Sequence, residues 1–144
     1  MITTYSFSDV NMVISHPNVG QHVSSGEGIG SISVSMATEK TEHNVASDGS
    51  VMVSKIPGDN GTIAITIQQT STLNKWLLKW YNYLKAASTS QWAKTGITVR
   101  APSMQDLITA TGVSPQKLAD KPYQAQGQLV TWNLMAADIQ QEAM

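Results

Sequence analysis

Residues 71–87 read STLNKWLLKWYNYLKAA, and this is the stretch that decides the fold. Its apolar residues recur every three or four positions, which is the spacing of one face of an α-helix. A hydroxyl at Ser71 or Thr72 can cap the first turn by accepting a hydrogen bond from a free backbone N–H. The spacing predicts a helix from Ser71 to Ala87. Its predicted packing core consists of Leu73, Trp76, Leu77, Trp80 and Leu84.

The other side of this predicted helix is polar and carries Lys75, Lys79 and Lys85. Burying each large apolar side chain contributes roughly 1.5–3 kcal/mol, so the apolar side would hold the helix firmly against a sheet. A ligand-stacking role for Trp76 or Trp80 is the alternative to core packing.

Before and after the helix, apolar and polar residues alternate with the period of β-strands. Examples are Ile32 and Val34, which alternate with serines, and Ile63 and Ile65, which alternate with small residues. The predicted strands cover residues 5–15, 31–36, 38–46, 50–56, 62–68, 96–101, 104–110 and 128–136, and residues 137–144 are predicted to fray. We therefore expect a mainly β fold, an antiparallel β-sandwich or partly open barrel with one flanking helix. Residues 1–144 are predicted to form a single domain.

A turn at Ser47-Asp48-Gly49 joins two of these predicted strands into a long hairpin over residues 39–50. Its tip is too hydrophilic to belong to a core, so we expect it to project from the domain. A mobile surface loop is the alternative.

The composition narrows the function classes. The chain has 144 residues, no cysteine and a net charge of −1, so neither a disulfide nor a thiolate metal site is possible. Charge is unevenly distributed: residues 61–100 hold five bases and no acid, whereas residues 1–60 hold two lysines and the acids Asp9, Glu27, Glu39, Glu42, Asp48 and Asp59. No basic surface for nucleic acid is indicated. We also expect no membrane span and no secretory signal.

Catalytic and metal-binding motifs are not indicated by the sequence. The glycines of Gly26-Glu27-Gly28-Ile29-Gly30 lack the spacing of a nucleotide-binding loop. No G-x-S-x-G motif surrounds a serine. The three histidines are His16, His22 and His43, and they lack the helical i, i+4 spacing of a metalloprotease. Glu39 and Glu42 lie on a polar, solvated stretch, which does not favour a pair of catalytic carboxylates. The expectation is a protein that is not an enzyme and has no cofactor or metal.

Several segments together resemble a known family. They are YSFSDV at residues 5–10, GEGIGSISVS at 26–35, KIPGDNGTIAITI at 55–67 followed by the tryptophan-rich helix, and TWNL at 131–134. In this combination the chain resembles the tail tube proteins of contractile-tailed bacteriophages, whose fold is shared with the tube protein of type VI secretion.

The resemblance implies hexameric rings that stack into a hollow tube, through which DNA passes from the capsid into the host without sequence-specific binding. It implies further copies of the chain, the tail sheath, a baseplate or tail initiator and a tape measure protein as partners. The location implied is the virion tail, after synthesis in the bacterial host cytoplasm. The alternatives are the tube of a bacteriocin or secretion system, and a monomeric β-sandwich binding module that presents Trp92 or Trp132 to carbohydrate.

Two further expectations concern surfaces of such a tube. A lumen rich in Lys and Arg would hold DNA by its phosphates, so the lining is expected to be neutral or acidic and to come from the acid-biased sheets, with the basic helix facing away. The projecting hairpin is expected to reach the next ring. Its inter-ring contacts are predicted at Glu39, Lys40, Glu42 and Asp48.

Overall fold

The computed structural model describes residues 1–26 and 28–144, so Glu27 lies outside the described residues. Within this part of the chain there are nine strands, one α-helix and two short 3-10 helices. In order they are a 3-10 turn at Phe7–Asp9, β1 Asn11–His16, β2 Gly20–Ser24, β3 Ile29–Met36, β4 Thr41–Val45, β5 Val51–Lys55, β6 Gly61–Gln68, α1 Thr72–Ala86, a 3-10 turn at Thr89–Gln91, β7 Thr95–Ala101, β8 Asp106–Pro115 and β9 Leu129–Ala143.

The helix α1 begins and ends within one residue of its predicted limits. The hydroxyl of Ser71 accepts a hydrogen bond from the backbone N–H of Asn74, which caps the first turn. Trp76 is half-buried and stacks on Trp80, with ring centroids 6.1 Å apart. The other predicted core residues are fully buried: Leu73, Leu77, Trp80 and Leu84.

Seven strands form one antiparallel sheet in the order β2-β1-β7-β8-β9-β6-β3. The sheet is open, because its two edge strands, β2 and β3, are not paired to each other. The strands β4 and β5 pair only with each other in a separate hairpin. The predicted fold class, mainly antiparallel β with one flanking helix, is confirmed, and the partly open arrangement applies rather than a closed barrel.

The hydrophobic core lies between α1 and one face of this sheet. That face presents alternate residues of the central strands, such as Ile65 of β6 and Trp132 of β9, which are directly opposite each other. The indole N–H of Trp132 donates to Asn74 Oδ1 at 3.0 Å, and that of Trp80 donates to Thr95 Oγ1 at 2.7 Å. Both buried donors are therefore satisfied, which fixes the helix relative to β7 and β9.

Three details differ from the sequence prediction. Tyr5 to Asp9 is not strand: Ser6 caps a 3-10 turn there, because its hydroxyl accepts from the N–H of Ser8. Strand β2 was not predicted, since Gly20–Ser24 lacks clear alternation. The tail does not fray, because β9 continues to Ala143 by pairing with β8.

Candidate assembly surfaces

The face of the large sheet that points away from the core is lined mainly by small hydroxyl side chains. We call it the hydroxyl face. Cross-strand register places Ser31, Thr66 and Thr131 in one row, and the hydroxyls of Thr66 and Thr131 lie 3.1 Å apart. The members used below are Ser31, Ser33 and Ser35 of β3, Thr62 and Thr66 of β6, Thr131 and Asn133 of β9, Thr109 and Thr111 of β8, and Thr98 of β7.

Charge is sparse on this face. Strands β3 and β6 contain no charged residue, and β9 has none before Asp138. The N-terminal acids expected to line a sheet surface lie elsewhere: those that the structure describes are in loops and in the β4–β5 hairpin. The hydroxyl face is therefore uncharged across β3 and β6, and its few charges lie on the neighbouring strands, at Arg100 of β7 and at Asp138 and Glu142 of β9.

The basic helix lies on the opposite side of the sheet. Its apolar residues belong to the same core cluster as Trp132 and Ile65, so α1 covers the face that is opposite the hydroxyl face. Lys75, Lys79 and Lys85 are exposed and point away from that core. The fold thus separates a basic helix from a sheet surface that is rich in hydroxyls and has few charges.

The edges of the sheet are open for pairing. Strand β3 is eight residues long and contains neither proline nor a charged residue, which are the usual devices that protect an edge. The opposite edge, β2, is shorter, with five residues. An uncharged edge of this length is a template for another strand.

The hairpin of β4 and β5 has two different faces. Val45 is directly opposite Val51, and His43 is opposite Val53, so these three valines share one face, which we call the valine face. All three valine side chains are largely exposed: Val45 by 66%, Val51 by 52% and Val53 by 62%. The other face is mainly polar and holds Glu42, Asn44, Ser54 and Met52.

The predicted inter-ring residues occupy different parts of this hairpin. Lys40 lies at its base, where its ammonium donates to the backbone oxygen of Gly58 and pairs with Asp59 at 2.7 Å. Hydrogen bonds from Lys40 and Gln140 hold the pKa of Asp59 below its ordinary value.

The other three predicted inter-ring residues are exposed along the hairpin. Asp48 accepts a hydrogen bond from the N–H of Ser50 in the tip, and this bond lowers the pKa of the carboxyl. Glu39 precedes β4, and Glu42 lies on the polar face. Lys40 and Asp48 therefore stabilise the hairpin itself, and Glu39 and Glu42 are the acids it presents to solvent.

An apolar groove opens where the core face of β3 approaches β7 and β8. Its volume is about 280 Å³. Half-buried Ile32, Val34, Ile108 and Phe7 line it, and Asp106 is the charged side chain in its lining. Here the core is not covered by α1.

A second cavity, of about 470 Å³, lies between the loop at residues 117–122 and the start of β9. Lys117, Asp120 and Lys121 line it together with Thr131 and Asn133. Its charges are mixed, and the described residues that line it include neither histidine nor serine.

The three histidines are not gathered into a metal site in the described part of the chain. Over residues 1–26 and 28–144, no three His, Asp or Glu side chains converge as metal ligands. His22 bridges the hydroxyls of Ser24 and Thr72, at 2.9 and 3.1 Å, and burial lowers its pKa. This chain of hydrogen bonds joins β2 to α1.

The glycine run and the tryptophans also take structural roles. Gly26 and Gly28 have positive φ, and a Cβ on Gly28 would lie 2.8 Å from that of Ser71, so this turn passes close to the start of α1. Trp132 is fully buried, which excludes its presentation to carbohydrate; Trp92 is 36% exposed.

No helix in the described part of the chain is long and apolar enough to cross a membrane.

Sequence reasoning missed the valine face and the groove. The signal for the valine face was present, because Val51 and Val53 lie two positions apart, the spacing of one face of a strand, and Val45 lies just before the same turn. The groove left no such signal, since it depends on how far the sheet curls.

Comparison with solved structures finds the same fold in other proteins. By fold the chain is similar to a chain of the anti-feeding prophage baseplate (TM-score 0.63, 15% identity, covering 99% of this chain and 98% of that one). It is also similar to a chain of the sheath-tube complex of an extracellular contractile injection system, PVC, in the extended state (TM-score 0.57, 14% identity, covering 92% and 88%). A chain of the anti-feeding prophage cap matches with TM-score 0.56 at 10% identity, covering 100% and 95%.

No curated protein matches the sequence. The model of one protein family, described as the bacteriophage PhiTE tail tube protein, matches residues 2–143. Because this match spans nearly the whole chain, the protein belongs to the bacteriophage PhiTE tail tube protein family.

Proposed function

We propose that this tail tube protein forms hexameric rings that stack into a hollow tube, and that DNA passes through the tube from the capsid into the host. The family match supports the tube, and the fold shared with chains of contractile particles supports a contractile tail. The observation that carries the proposal is the open seven-stranded sheet, whose hydroxyl face carries no charge on β3 and β6 and whose other side is covered by a basic helix.

The hydroxyl face is the surface proposed to line the bore. DNA phosphates bind Lys and Arg by releasing counterions, so a lining rich in bases would retain the genome in transit. Ser33, Thr66 and Thr131 offer neutral hydroxyls instead. The same placement puts Lys75, Lys79 and Lys85 of α1 on the outside of the tube or at a seam between subunits.

Ring closure is proposed to use the two open edges of the sheet. Pairing β3 of one copy with β2 of the next is a head-to-tail contact, which forms a ring when the rotation closes. Closure also removes the exposed uncharged edge, which would otherwise promote aggregation. Ring assembly would then also protect the chain against aggregation through its open sheet edges.

The hairpin over residues 39–50 is proposed to contact the next ring. Glu39, Glu42 and Asp48 are exposed on it, and Lys40 anchors its base to Asp59. An exposed two-stranded hairpin is only marginally stable by itself, so contacts with a neighbour would order it. The alternative is a mobile hairpin that plays no part in the stacking of rings.

Partners follow from this role. Sheath, baseplate or initiator, and tape measure proteins are proposed to bind the tube, since the similar chains come from a sheath-tube complex, a baseplate and a cap. The proposed location is the virion tail, after synthesis in the host cytoplasm. The role is structural, without catalysis or a cofactor. A tube of a phage-like injection system is the second candidate, because the similar chains belong to such particles.

Negative-stain electron microscopy of the purified chain, with sedimentation velocity on the same sample, tests the proposal. Rings with sixfold symmetry or hollow tubes are expected. A hairpin deletion from Glu42 to Asp48 should shorten the tubes while the rings persist. Long tubes formed by the deletion variant would contradict the inter-ring role of the hairpin.

A further inference from the structure

We propose that the valine face of the β4–β5 hairpin binds the apolar groove of a second copy of this chain. This inference rests on the proposed function and names the surfaces that join subunits. It differs from the prediction made on sequence alone, in which four charged residues of the hairpin make the contact.

The valine face is a surface without a partner in the described chain. Val45, Val51 and Val53 are each more than half exposed, and they lie side by side on two paired strands. The hairpin pairs with no strand of the large sheet in the described part of the chain. Because an isolated two-stranded hairpin is marginally stable in water, an apolar face of this kind is expected to be covered in the assembled protein.

The groove matches the valine face in polarity, because both are apolar. Ile32 and Val34 of β3, Ile108 of β8, and Phe7 leave a concave apolar lining of about 280 Å³, into which branched side chains can insert. These residues are half-buried, so the groove is an uncovered part of the core rather than an ordinary polar surface.

Charge complementarity selects the occupant. The valine face continues to Lys55, which is opposite Thr41 and exposed, and it carries no acid. The lining of the groove contains Asp106 and no base. When the valine face of one copy lies in the groove of a second copy, apolar surfaces therefore meet and Lys55 of the first copy can approach Asp106 of the second.

The contact joins two different surfaces of identical chains. A contact of this type adds copies in one direction, so hairpins of one ring can enter the grooves of the next ring along the tube. It can operate together with pairing of the open sheet edges, because the groove lies on the core face of β3 and pairing uses its backbone edge.

Cysteine cross-linking tests the contact directly, because the natural chain contains no cysteine. One chain carries Val53→Cys, and a second, affinity-tagged chain carries Val34→Cys. Both are mixed at assembling concentration and oxidised. The matched control replaces Val53→Cys by Met52→Cys, which is the neighbouring position on the other face of the hairpin. A disulfide forms only when the two Cα atoms approach to about 4.4–6.8 Å.

The expected yield of the disulfide to Val34→Cys is about tenfold higher for Val53→Cys than for Met52→Cys, because only the valine face of the hairpin lies in the groove. Equal yields would contradict the proposal. A chain that carries both Val53→Cys and Val34→Cys and forms only an intramolecular disulfide would also contradict it, because the hairpin would then lie in the groove of the same chain.

A charge exchange provides a second measurement on exposed residues that do not contribute to the core. Lys55→Glu should reduce the assembled fraction in sedimentation velocity, and Lys55→Glu combined with Asp106→Lys should restore it. Rings or tubes without the selective cross-link and without this rescue would overturn the inference and leave the proposed function intact. A monomer at every concentration would contradict both.

Discussion

The indole Nε1 of Trp132 on β9 donates a hydrogen bond to Oδ1 of Asn74 on α1 across a distance of 3.0 Å, inside the core. The amide nitrogen of Asn74 in turn donates to the backbone oxygen of Gln69 at 3.1 Å, just before the helix. One buried side chain thus joins the helix start to the sheet whose other face is proposed to line the bore.

Asn74→Ala should destabilise the protein. It leaves the buried N–H of Trp132 and the oxygen of Gln69 without their partner, and each such group costs roughly 1–3 kcal/mol. Chemical denaturation monitored by tryptophan fluorescence measures the loss. Asn82→Ala, on the exposed side of the same helix, is the control and should change stability by less than about 0.5 kcal/mol. Equal losses for both variants would contradict the role of Asn74.

Thr95→Val should also destabilise the protein, because the buried indole N–H of Trp80 loses its acceptor, Thr95 Oγ1, at 2.7 Å. The expected loss is roughly 1–3 kcal/mol, since valine keeps the size of threonine and removes only the hydroxyl. Thr95→Ser keeps the hydroxyl and should retain more stability than Thr95→Val in the same denaturation experiment. The reverse order would show that the methyl group matters more than the hydrogen bond.

Gly112→Ala tests a position where β8 lies close to β9. Gly112 has a φ of +65°, and a Cβ there would lie 2.7 Å from that of Ala137. The strained backbone and this contact should cost roughly 1–3 kcal/mol. Thermal unfolding of Gly112→Ala is compared with that of Gly127→Ala, where a Cβ meets no atom within 4 Å. Adding Ala137→Gly should recover part of the loss, and no recovery would exclude the steric explanation.

The base of the hairpin should depend on pH through Asp59. Hydrogen bonds from Lys40 and Gln140, with the charge of Lys40, lower the pKa of this carboxyl from 3.8. A carboxyl whose pKa is lower in the folded state stabilises it above the unfolded pKa, and this contribution is lost as the pH falls through the folded pKa. The pair should therefore hold the hairpin above about pH 4 and release it in more acidic solution.

Carboxyl titration by NMR measures this effect. Lys40→Met should raise the pKa of Asp59 towards its ordinary value, whereas Lys55→Met, which removes another exposed hairpin lysine, should leave it unchanged. An Asp59 pKa that is the same in Lys40→Met and in the natural chain would contradict the pairing.

Much of the fold could be predicted from the sequence because its signals are local. The helix periodicity and the cap at Ser71 located α1 closely, and alternation located strands such as β6. Alternation could not locate β2, whose five residues are held mainly by pairing with β1. It also could not show that β9 continues to Ala143, since the polar residues there are ordered by β8.

The surfaces were less predictable, because they depend on which strands become neighbours. Two residues of the hydroxyl face, Ser33 and Asn133, are one hundred positions apart in the chain and share a face only because β6 lies between their strands. The acids near the N-terminus suggested an acidic sheet, but the described ones are in loops and in the hairpin. A neutral lining satisfies the same physical requirement for DNA passage.

Cryo-electron microscopy of the assembled protein tests the central claim most directly, because it shows both the assembly and the surface that faces the bore. The account predicts stacked rings of six chains around a hollow bore lined by Ser33, Thr66 and Thr131, with Lys75, Lys79 and Lys85 outside it. A map in which several of these lysines point into the bore, or a chain that stays monomeric at high concentration, would contradict it.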